Sequence, residues 1–316
     1  MLQNNTASSA DKISAPRNKT LTLSVPEKKN LKKKLIQLKT KTNVCSVINH
    51  TIIGNMLDVV SFLPDSFVDL LFLDPPYNLN KSFKGQKFKL QTAHDYEALL
   101  DSWLKPLLRL LKPTASVYIC GDWRSAGPIS NLAGKYFQIQ NRITWEREKG
   151  RGAKANWKNC SEDIWFCTMS QKYKFNVDAV KVRRRVIAPY RDVFKKPKDW
   201  TESPDGNHRL TSPSNLWNDI TVPFWSMSEN TEHPTQKPEK LLAKIILASS
   251  DRDDLIFDPF LGSGTTSVVA KKLGRKYIGI ERELDYCLIA EKRLKLADKE
   301  KRIQGLENGI FRERNS

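Results

Sequence analysis

Apolar and polar positions divide the middle of the chain into alternating strands and helices. Short, continuously apolar runs at 50–55, 68–74 and 115–121 predict buried strands, and the leucine-rich segment 96–111 predicts a helix. Strands that are apolar on both faces and separated by helices are typical of a parallel or mixed sheet covered on both sides. The pattern therefore predicts an α/β domain. Pro106 lies inside the helical segment, where we expect a kink or a break.

The same alternation returns toward the end of the chain. Segments 137–147 and 163–169 predict two further strands. The stretch 233–250 predicts a helix with Pro238 at its first position, which the fixed φ of proline favours. Segments 254–274 and 277–281 then read as strand, glycine loop, helix and strand.

Two regions lack this periodicity. Residues 1–42 are rich in Lys, Asn, Ser and Thr, and they predict a basic, mostly disordered arm with a short helix at 31–41. Residues 176–232 mix Arg, Lys, aromatic residues and Pro without a clean period. This second region has the composition of a binding surface, although several of its aromatics are expected to form a small core.

Charge and cysteine usage narrow the function classes. The chain carries 53 Lys and Arg against 35 Asp and Glu, a formal net charge of +18, which favours a polyanionic partner such as nucleic acid. Its five cysteines show no CxxC spacing, so we expect reduced thiols and no metal site. The N-terminus lacks a signal-peptide pattern and no apolar run is long enough to span a bilayer, so the expected location is the cytoplasm, with no membrane partner.

The second predicted strand ends in the sequence Asp74-Pro75-Pro76-Tyr77. Two adjacent prolines cannot extend a sheet, because each lacks a backbone donor and has a fixed φ. A residue that precedes proline is itself restricted to extended conformations. The Asp74 carboxylate and the Pro75 carbonyl are therefore held as two rigid hydrogen-bond acceptors at the end of a strand.

A glycine loop links a strand to a helix near the C-terminal end. Gly262, Ser263 and Gly264 form this loop, which allows close backbone approach to a ligand. It lacks the Lys-Ser/Thr pair of a phosphate-binding P-loop. Glu281 ends the following strand at the offset where nucleoside-binding α/β folds place an acid on the ribose hydroxyls. Together these features favour a nucleoside ligand.

With DPPY, HPTQKP and DPFLGSGTT in that order, the chain resembles the β class of S-adenosylmethionine-dependent DNA amino-methyltransferases, which modify adenine N6 or cytosine N4. The resemblance covers about 43–296. It implies a doubly wound, mostly parallel sheet of the Rossmann-like methyltransferase fold, with seven central strands and an inserted target-recognition region. The implied parts are the arm 1–42, a catalytic half 43–175, the recognition region 176–232, a cofactor-binding half 233–298 and a tail 299–316.

The resemblance also assigns roles to individual residues. It implies that S-adenosylmethionine (AdoMet) is the cofactor and that the target base is rotated out of double-stranded DNA. The implied catalytic residues are Asp74, Pro75, Pro76 and Tyr77. The implied cofactor-binding residues are Asn55, Thr235, Lys237, Asp258, Phe260, Gly262, Ser263, Gly264, Thr265 and Glu281. Candidates for DNA contact are Arg183, Arg184, Arg185 and Arg191.

The motif fits the chemistry of an amino group. An exocyclic amino nitrogen is a poor nucleophile because its lone pair is delocalised into the ring, and acceptors for its two N–H groups localise that pair. Asp74 and the Pro75 carbonyl supply such acceptors, and Tyr77 can stack on the base. Thr235 and Lys237 match family positions near the cofactor carboxylate. One departure is Gly54-Asn55, where many relatives have Gly-Asp against the cofactor adenine.

Several alternatives stay open at this point. DPPY favours adenine N6, whereas cytosine N4 enzymes more often carry Ser in the first position. An RNA or protein methyltransferase is a second reading, and a catalytically silent DNA-binding protein with the same fold is a third. The resemblance further suggests a homodimer and is compatible with a restriction endonuclease that acts separately. The DNA recognition sequence cannot be read from these residues.

Overall fold

The protein was analysed as a computed structural model that describes residues 17–79, 81–83, 86–147, 155–187, 190–204 and 206–313. Its strands are β1 (His50–Ile53), β2 (Val68–Leu73), β3 (Lys81–Phe83), β4 (Gln86–Phe88), β5 (Leu111–Gly121), β6 (Gln138–Glu146), β7 (Ser161–Thr168), β8 (Val182–Arg185), β9 (Thr201–Ser203), β10 (Gly206–Thr211), β11 (Leu216–Trp217), β12 (Leu255–Asp258), β13 (Lys276–Glu281), β14 (Leu306–Glu307) and β15 (Ile310–Arg312). Its α-helices are α1 (Val25–Lys32), α2 (Met56–Val60), α3 (Ala93–Leu107), α4 (Ala126–Tyr136), α5 (Glu239–Ser249), α6 (Thr265–Lys272) and α7 (Leu284–Leu296).

The main sheet of the described residues has eight strands in the order β1-β13-β12-β2-β5-β7-β6-β11. Every neighbouring pair is parallel except the two pairs that involve β7, which runs against both β5 and β6. Apolar residues of α2, α3 and α4 pack on one face, and those of α5, α6 and α7 pack on the other. This arrangement confirms the predicted doubly wound, mostly parallel sheet. The two-residue strand β11 is added at one edge to the seven strands that the resemblance implies.

The predicted strands and helices are found with small shifts at their ends. The apolar run before Asp74 forms β2, and its four last residues are almost completely buried. Pro106 lies in the last turn of α3, which then continues as a single 3-10 turn, so the interruption comes at the end of the helix. Pro238 is the extended N-cap of α5 and not its first helical residue. Its ψ of 145° turns the chain before the helix begins.

The prediction of a disordered arm is wrong for residues 17–42, and residues 1–16 lie outside the described chain. The helix in this arm is α1 and not the predicted segment 31–41. A reciprocal capping box between Ser24 and Glu27 begins α1, which packs on α7. Ile36 then pairs with Ile52 of β1 in a parallel bridge, and this pairing excludes a helix there. The packing on α7 and the bridge to β1 join residues far apart in sequence, so the local composition of the arm does not reveal them.

A second sheet connects the predicted recognition region with the end of the chain. Its order is β14-β15-β8-β10-β9, and β15 lies parallel to β8 with Phe311 opposite Val182. Residues 306–312 are therefore not a separate tail, because they complete the sheet that residues 182–211 begin. Strand β11 of the same region joins the main sheet beside β6. None of the helices in the described ranges is both long and apolar enough to cross a membrane.

We predict that Phe311→Ala lowers the free energy of unfolding by about 3–5 kcal/mol, because the side chain is fully buried where the two sheets share a core. Urea unfolding followed by tryptophan fluorescence measures the change. Phe194→Ala is the matched control, since that ring is 79% exposed, and it should change stability by less than about 0.5 kcal/mol. Equal effects of the two substitutions would contradict the packing of β15 against β8.

Candidate active site

A cavity of about 280 Å³ opens at the carboxyl ends of the parallel strands. The chain runs outward from β12 to β13 on one side and from β2 to β5 on the other, so the strand order reverses between β12 and β2. Ligands of open α/β sheets bind at such a reversal, in the crevice beyond the strand ends. The segments that follow β1, β2, β12 and β13 all contribute to the cavity wall.

The DPPY segment follows β2 directly and lines this cavity. The Tyr77 hydroxyl donates to Asp74 Oδ1 at 2.8 Å, so the last residue of the motif holds the first. The buried hydroxyl of Tyr96 on α3 donates to the Pro76 carbonyl at 3.0 Å. The turn is thus fixed by two tyrosines in addition to the two prolines. Tyr96 was not identified from the sequence, because a tyrosine in an amphipathic helix reads as ordinary core.

A buried charge network surrounds the same carboxylate. The Lys237 ammonium lies 2.7 Å from Asp74 Oδ2 and 3.3 Å from Glu162 Oε2, and the Arg147 guanidinium binds the other oxygen of Glu162. Burial by itself would lower the pKa of Lys237, but Asp74 and Glu162 raise it above 10.5. Burial would raise the pKa of Glu162, but Lys237 and Arg147 hold it below 4.5. Burial and the two carboxylates raise the pKa of Tyr77 well above 10.0.

The glycine loop needs glycine at two positions. Gly262 has φ +54°, and a Cβ there would lie 2.9 Å from His233 Nε2. Gly264 is the N-cap of α6 with φ +86°, and a Cβ there would lie 2.6 Å from the Ala290 side chain. Both positions favour glycine by conformation as well as by space. The loop therefore packs closely on α7 and on the segment that carries His233.

Glu281 lies at the end of β13 and faces the cavity. Its carboxylate accepts the Gly262 N–H and the Glu283 N–H, each at 2.8 Å. Burial raises the pKa of Glu281 above 4.5. The carboxylate is thus fixed by two backbone donors and keeps further lone pairs for a ligand hydroxyl.

Buried residues of β12 and α7 support the glycine loop on the side away from the cavity. Asp258 is buried and accepts the Thr266 hydroxyl at 2.6 Å and the Phe260 N–H at 3.0 Å. The buried Arg293 guanidinium donates to the Ser263 carbonyl and to the Thr265 hydroxyl. These contacts hold the loop conformation, and Asp258 and Arg293 themselves do not line the cavity.

Asn55 begins α2 at the end of β1. Its side-chain oxygen accepts the Leu57 N–H at 3.0 Å, which caps the helix. Asn and Asp are about equally good N-caps, so the departure from Gly-Asp keeps the local backbone. Asn55 remains on the cavity wall beside Gly54.

The structure brings most of the candidate residues to one place. All four DPPY residues line the cavity, together with Asn55, Thr235, Lys237, Phe260, Gly262 and Glu281. Asp258, Ser263, Gly264 and Thr265 are not among the lining residues, and they shape the loop behind the wall. The sequence did not identify Trp103 and Tyr286, which also line the cavity, because each lies in an amphipathic helix. Glu162 and Arg147 were missed for a similar reason, since they lie in and beside strands that read as core.

The four candidate arginines have different surroundings. Arg183 contacts Ser203 and His208 within the small sheet, and Arg185 is exposed at the end of β8. The Nε atom of Arg184 is buried without a hydrogen-bond partner. Arg191 stacks on Trp200 and pairs with Glu202, so it holds its own loop together.

We predict that Asp258→Asn changes how stability depends on pH. Burial raises the pKa of Asp258 from 3.8 to about 7. Its contribution to stability is therefore fully present below pH 3.8 and is lost as the pH rises through 7. The variant should gain stability relative to the parent protein, by an amount on the order of a few kcal/mol, as the pH rises from about 4 to 8. Urea unfolding at several pH values measures this, and a pH-independent difference would contradict it.

Comparison with known proteins agrees with this geometry. The DNA methylase family model matches residues 68–292. DNA adenine methyltransferase YhdJ of Escherichia coli strain K12 is 37% identical over 255 residues, 77% of this chain and 82% of that protein. Type II methyltransferase M.HinfI of Haemophilus influenzae is 30% identical over 272 residues, covering 81% and 70% of the two chains.

Solved structures share the fold at lower identity. The M1.HpyAVI-SAM complex aligns with a TM-score of 0.53 and 23% identity over 77% of this chain and 98% of its own. PvuII DNA methyltransferase (cytosine-N4-specific) aligns with a TM-score of 0.54 and 18% identity over 88% of this chain and 97% of its own. With the family match over most of its length and relatives at 30% identity and above, the chain belongs to the DNA methylase family of N6-adenine and N4-cytosine methyltransferases.

Proposed function

We propose that this protein transfers a methyl group from AdoMet to adenine N6 at a specific sequence in double-stranded DNA. The observation that carries the proposal is that Asp74 and Glu281 line one cavity at the reversal of strand order. Asp74 offers acceptors for an amino group, and Glu281 offers acceptors for sugar hydroxyls. One site can therefore hold a nucleoside cofactor and a target base together.

The cavity fits a nucleoside cofactor. Glu281 would hold the ribose hydroxyls, since its carboxylate is fixed and faces the opening. Asn55 and the apolar Met56 and Ile280 would surround the adenine, and Phe260 and Gly262 would lie along the sugar and the methionine part. Thr235 is left as the candidate for the cofactor carboxylate, because Lys237 is already paired. When bound, AdoMet supplies a methyl group that its sulfonium has activated for transfer.

The residues of DPPY would prepare the target nitrogen. Asp74 and the Pro75 carbonyl accept its two N–H groups, which localises the lone pair on nitrogen. That pair forms the new bond to the methyl carbon, while the pair of the broken S–C bond stays on sulfur. The methylated nitrogen then gives up one proton, for which the Asp74 carboxylate is the nearest acceptor before solvent. Holding the two reactants in line can lower the barrier by about 7–11 kcal/mol.

Adenine is the better-supported base. The relative with 37% identity is named a DNA adenine methyltransferase, and it aligns over most of both chains. The likeness to the cytosine-N4-specific enzyme is at 18% identity and supports the common fold alone. The first residue of the motif here is Asp74, which is the residue that the β class associates with adenine.

The charge distribution supports DNA as the partner. The chain has a net charge of +18, and the exposed Arg185 is the strongest of the four arginine candidates for a phosphate or base contact. Arg184 and Arg191 are weaker candidates, because one is partly buried and the other is engaged within its own loop. All five cysteines are unpaired, in keeping with the cytoplasm as the place of the reaction.

The proposal also includes two protein partners. The protein is proposed to form a homodimer, which sedimentation at micromolar concentration would test. A cognate restriction endonuclease that acts separately is compatible with the relative M.HinfI, which is named a type II methyltransferase.

The direct test is the product. Purified protein is incubated with unmethylated genomic DNA and methyl-labelled AdoMet, the DNA is digested to nucleosides, and the nucleosides are analysed by mass. We expect the label in N6-methyladenine. Label in N4-methylcytosine would keep the mechanism and overturn the base, and absence of label from DNA would contradict the proposed function.

We further expect Asp74→Ala to lower the rate of methyl transfer by at least about 100-fold, because the acceptor for the amino group is lost. The dissociation constant of AdoMet, measured by calorimetry, should stay within about threefold. Asp65→Ala is the control, since that carboxylate is 71% exposed and lies outside the cavity, and it should retain activity. Loss of AdoMet binding in Asp74→Ala would show that the site is misassigned.

A further inference from the structure

Lys237 occupies a place that the sequence motif did not suggest. Its side chain is only 7% exposed, and its ammonium lies between the carboxylates of Asp74 and Glu162. Glu162 is 6% exposed and also binds the Arg147 guanidinium. One buried and one half-buried carboxylate and two cations thus form a charge-balanced group on one side of the cavity. Its members come from the turn after β2, from the residue after β6, from β7 and from the segment before α5.

We propose that Lys237 and Glu162 are positioning residues that fix the Asp74 carboxylate, in its charged form, toward the amino group of the target base. This inference rests on the proposed function, because it assigns a role in the same methyl transfer. It adds two residues to the catalytic motif, and one of them, Glu162, lies outside the DPPY, HPTQKP and DPFLGSGTT motifs.

The contacts leave Asp74 with a single orientation. Its Oδ1 atom accepts the Tyr77 hydroxyl at 2.8 Å and its Oδ2 atom accepts the Lys237 ammonium at 2.7 Å. A carboxylate has about four lone-pair positions, so one remains on each oxygen for a substrate N–H. Two donors from different segments prevent rotation of the carboxylate. The acceptor is therefore in place before the base arrives.

The charges explain why both Lys237 and Glu162 are needed. Without the ammonium, the Asp74 and Glu162 carboxylates would share one buried site, and such pairs retain a proton. A protonated Asp74 would be a weaker acceptor for the amino group. Without Glu162, the Lys237 and Arg147 charges would outweigh the single charge of Asp74. The target nitrogen beside Asp74 becomes positive during transfer, and a net positive charge there would oppose the reaction. Glu162 shares the ammonium and keeps the surroundings of Asp74 from becoming net positive.

A rival role for Lys237 is to bind the cofactor carboxylate. The three ammonium protons, however, already have acceptors in Asp74, in Glu162 and in the Tyr77 oxygen at 3.2 Å. A cofactor carboxylate would have to displace one of them. The two roles make opposite predictions for the affinity of AdoMet, which allows a decisive test.

The test compares the full-length parent protein with Lys237→Met, Lys237→Arg, Glu162→Gln and the double variant Lys237→Met/Glu162→Gln. Lys244→Met is the matched control, because Lys244 is also buried on this part of the chain but pairs with Asp219, away from the cavity. For each protein, AdoMet affinity is measured by calorimetry and methyl transfer by single turnover on saturating DNA. Thermal unfolding identifies any variant that does not fold.

We expect Lys237→Met to lower the single-turnover rate on the order of 100-fold, with an AdoMet dissociation constant within about threefold of the parent. Lys237→Arg should keep much more of the rate, because it keeps the positive charge. The double variant should be about tenfold faster than Lys237→Met, because the Glu162 charge, which repels Asp74 once the ammonium is lost, is removed as well. Lys244→Met should lose stability and keep the rate.

The pH profile separates a positioning role from simple structural damage. In Lys237→Met the rate should recover at higher pH, where the proton retained by the carboxylate pair is released, whereas a packing defect would lower the rate equally at each pH. The titratable and charged groups around Lys237 are Asp74, Tyr77, Cys120, Arg147 and Glu162. Exchange of Glu162 in the double variant should remove most of this pH dependence.

Other outcomes would overturn the inference. A tenfold or greater loss of AdoMet affinity, with the rate at saturation retained, would make Lys237 a cofactor ligand. A double variant no faster than Lys237→Met would exclude charge balance as the reason for Glu162. If Lys237→Met does not fold, Lys237→Arg and Glu162→Gln give the same comparison. If the parent protein transfers no methyl group to DNA, the proposed function fails. The AdoMet affinities then still show whether Lys237 binds the cofactor carboxylate.

Discussion

The site depends on one constraint of the sheet, namely that parallel strands end at the same edge. Strands β1, β2, β12 and β13 are neighbours in the sheet and run in the same direction. Residues separated by more than 200 positions in sequence, such as Asn55 and Glu281, therefore meet around one cavity. The reversal of order between β12 and β2 opens the edge at this point. The DPPY motif follows β2, and the glycine loop follows β12.

The second determinant is the cost of burying charge. An isolated buried ion is expensive, and a buried pair is stabilising only when its geometry and additional hydrogen bonds are good. Asp74, Glu162, Lys237 and Arg147 meet this condition together, since each has an opposite charge within hydrogen-bond distance. Well-packed apolar residues of similar volume would stabilise the fold at this site at least as well as the four charges. The presence of four charges there agrees with the proposed role of Lys237 and Glu162 in positioning Asp74.

Structural features that depend on local sequence patterns could be predicted from the sequence alone. The apolar strands, the glycine loop and the rigid turn after β2 follow from residue type and spacing, and each is found close to its predicted position. What could not be predicted depends on contacts between distant segments. Ile36 pairs with β1, Phe311 completes the small sheet, and Arg293 supports the glycine loop, yet each reads locally as an ordinary polar or apolar position. The position of Lys237 is a further example, because the motif identifies the residue but not its partner.

The most direct measurement is a crystal structure of this protein with AdoMet bound. The account predicts that the ribose hydroxyls contact the Glu281 carboxylate and that the methyl group points toward Asp74 and Pro75. It also predicts that the Lys237 ammonium stays between Asp74 and Glu162. Binding of the cofactor outside this cavity, or with its methyl group directed away from Asp74, would contradict the assignment of the site.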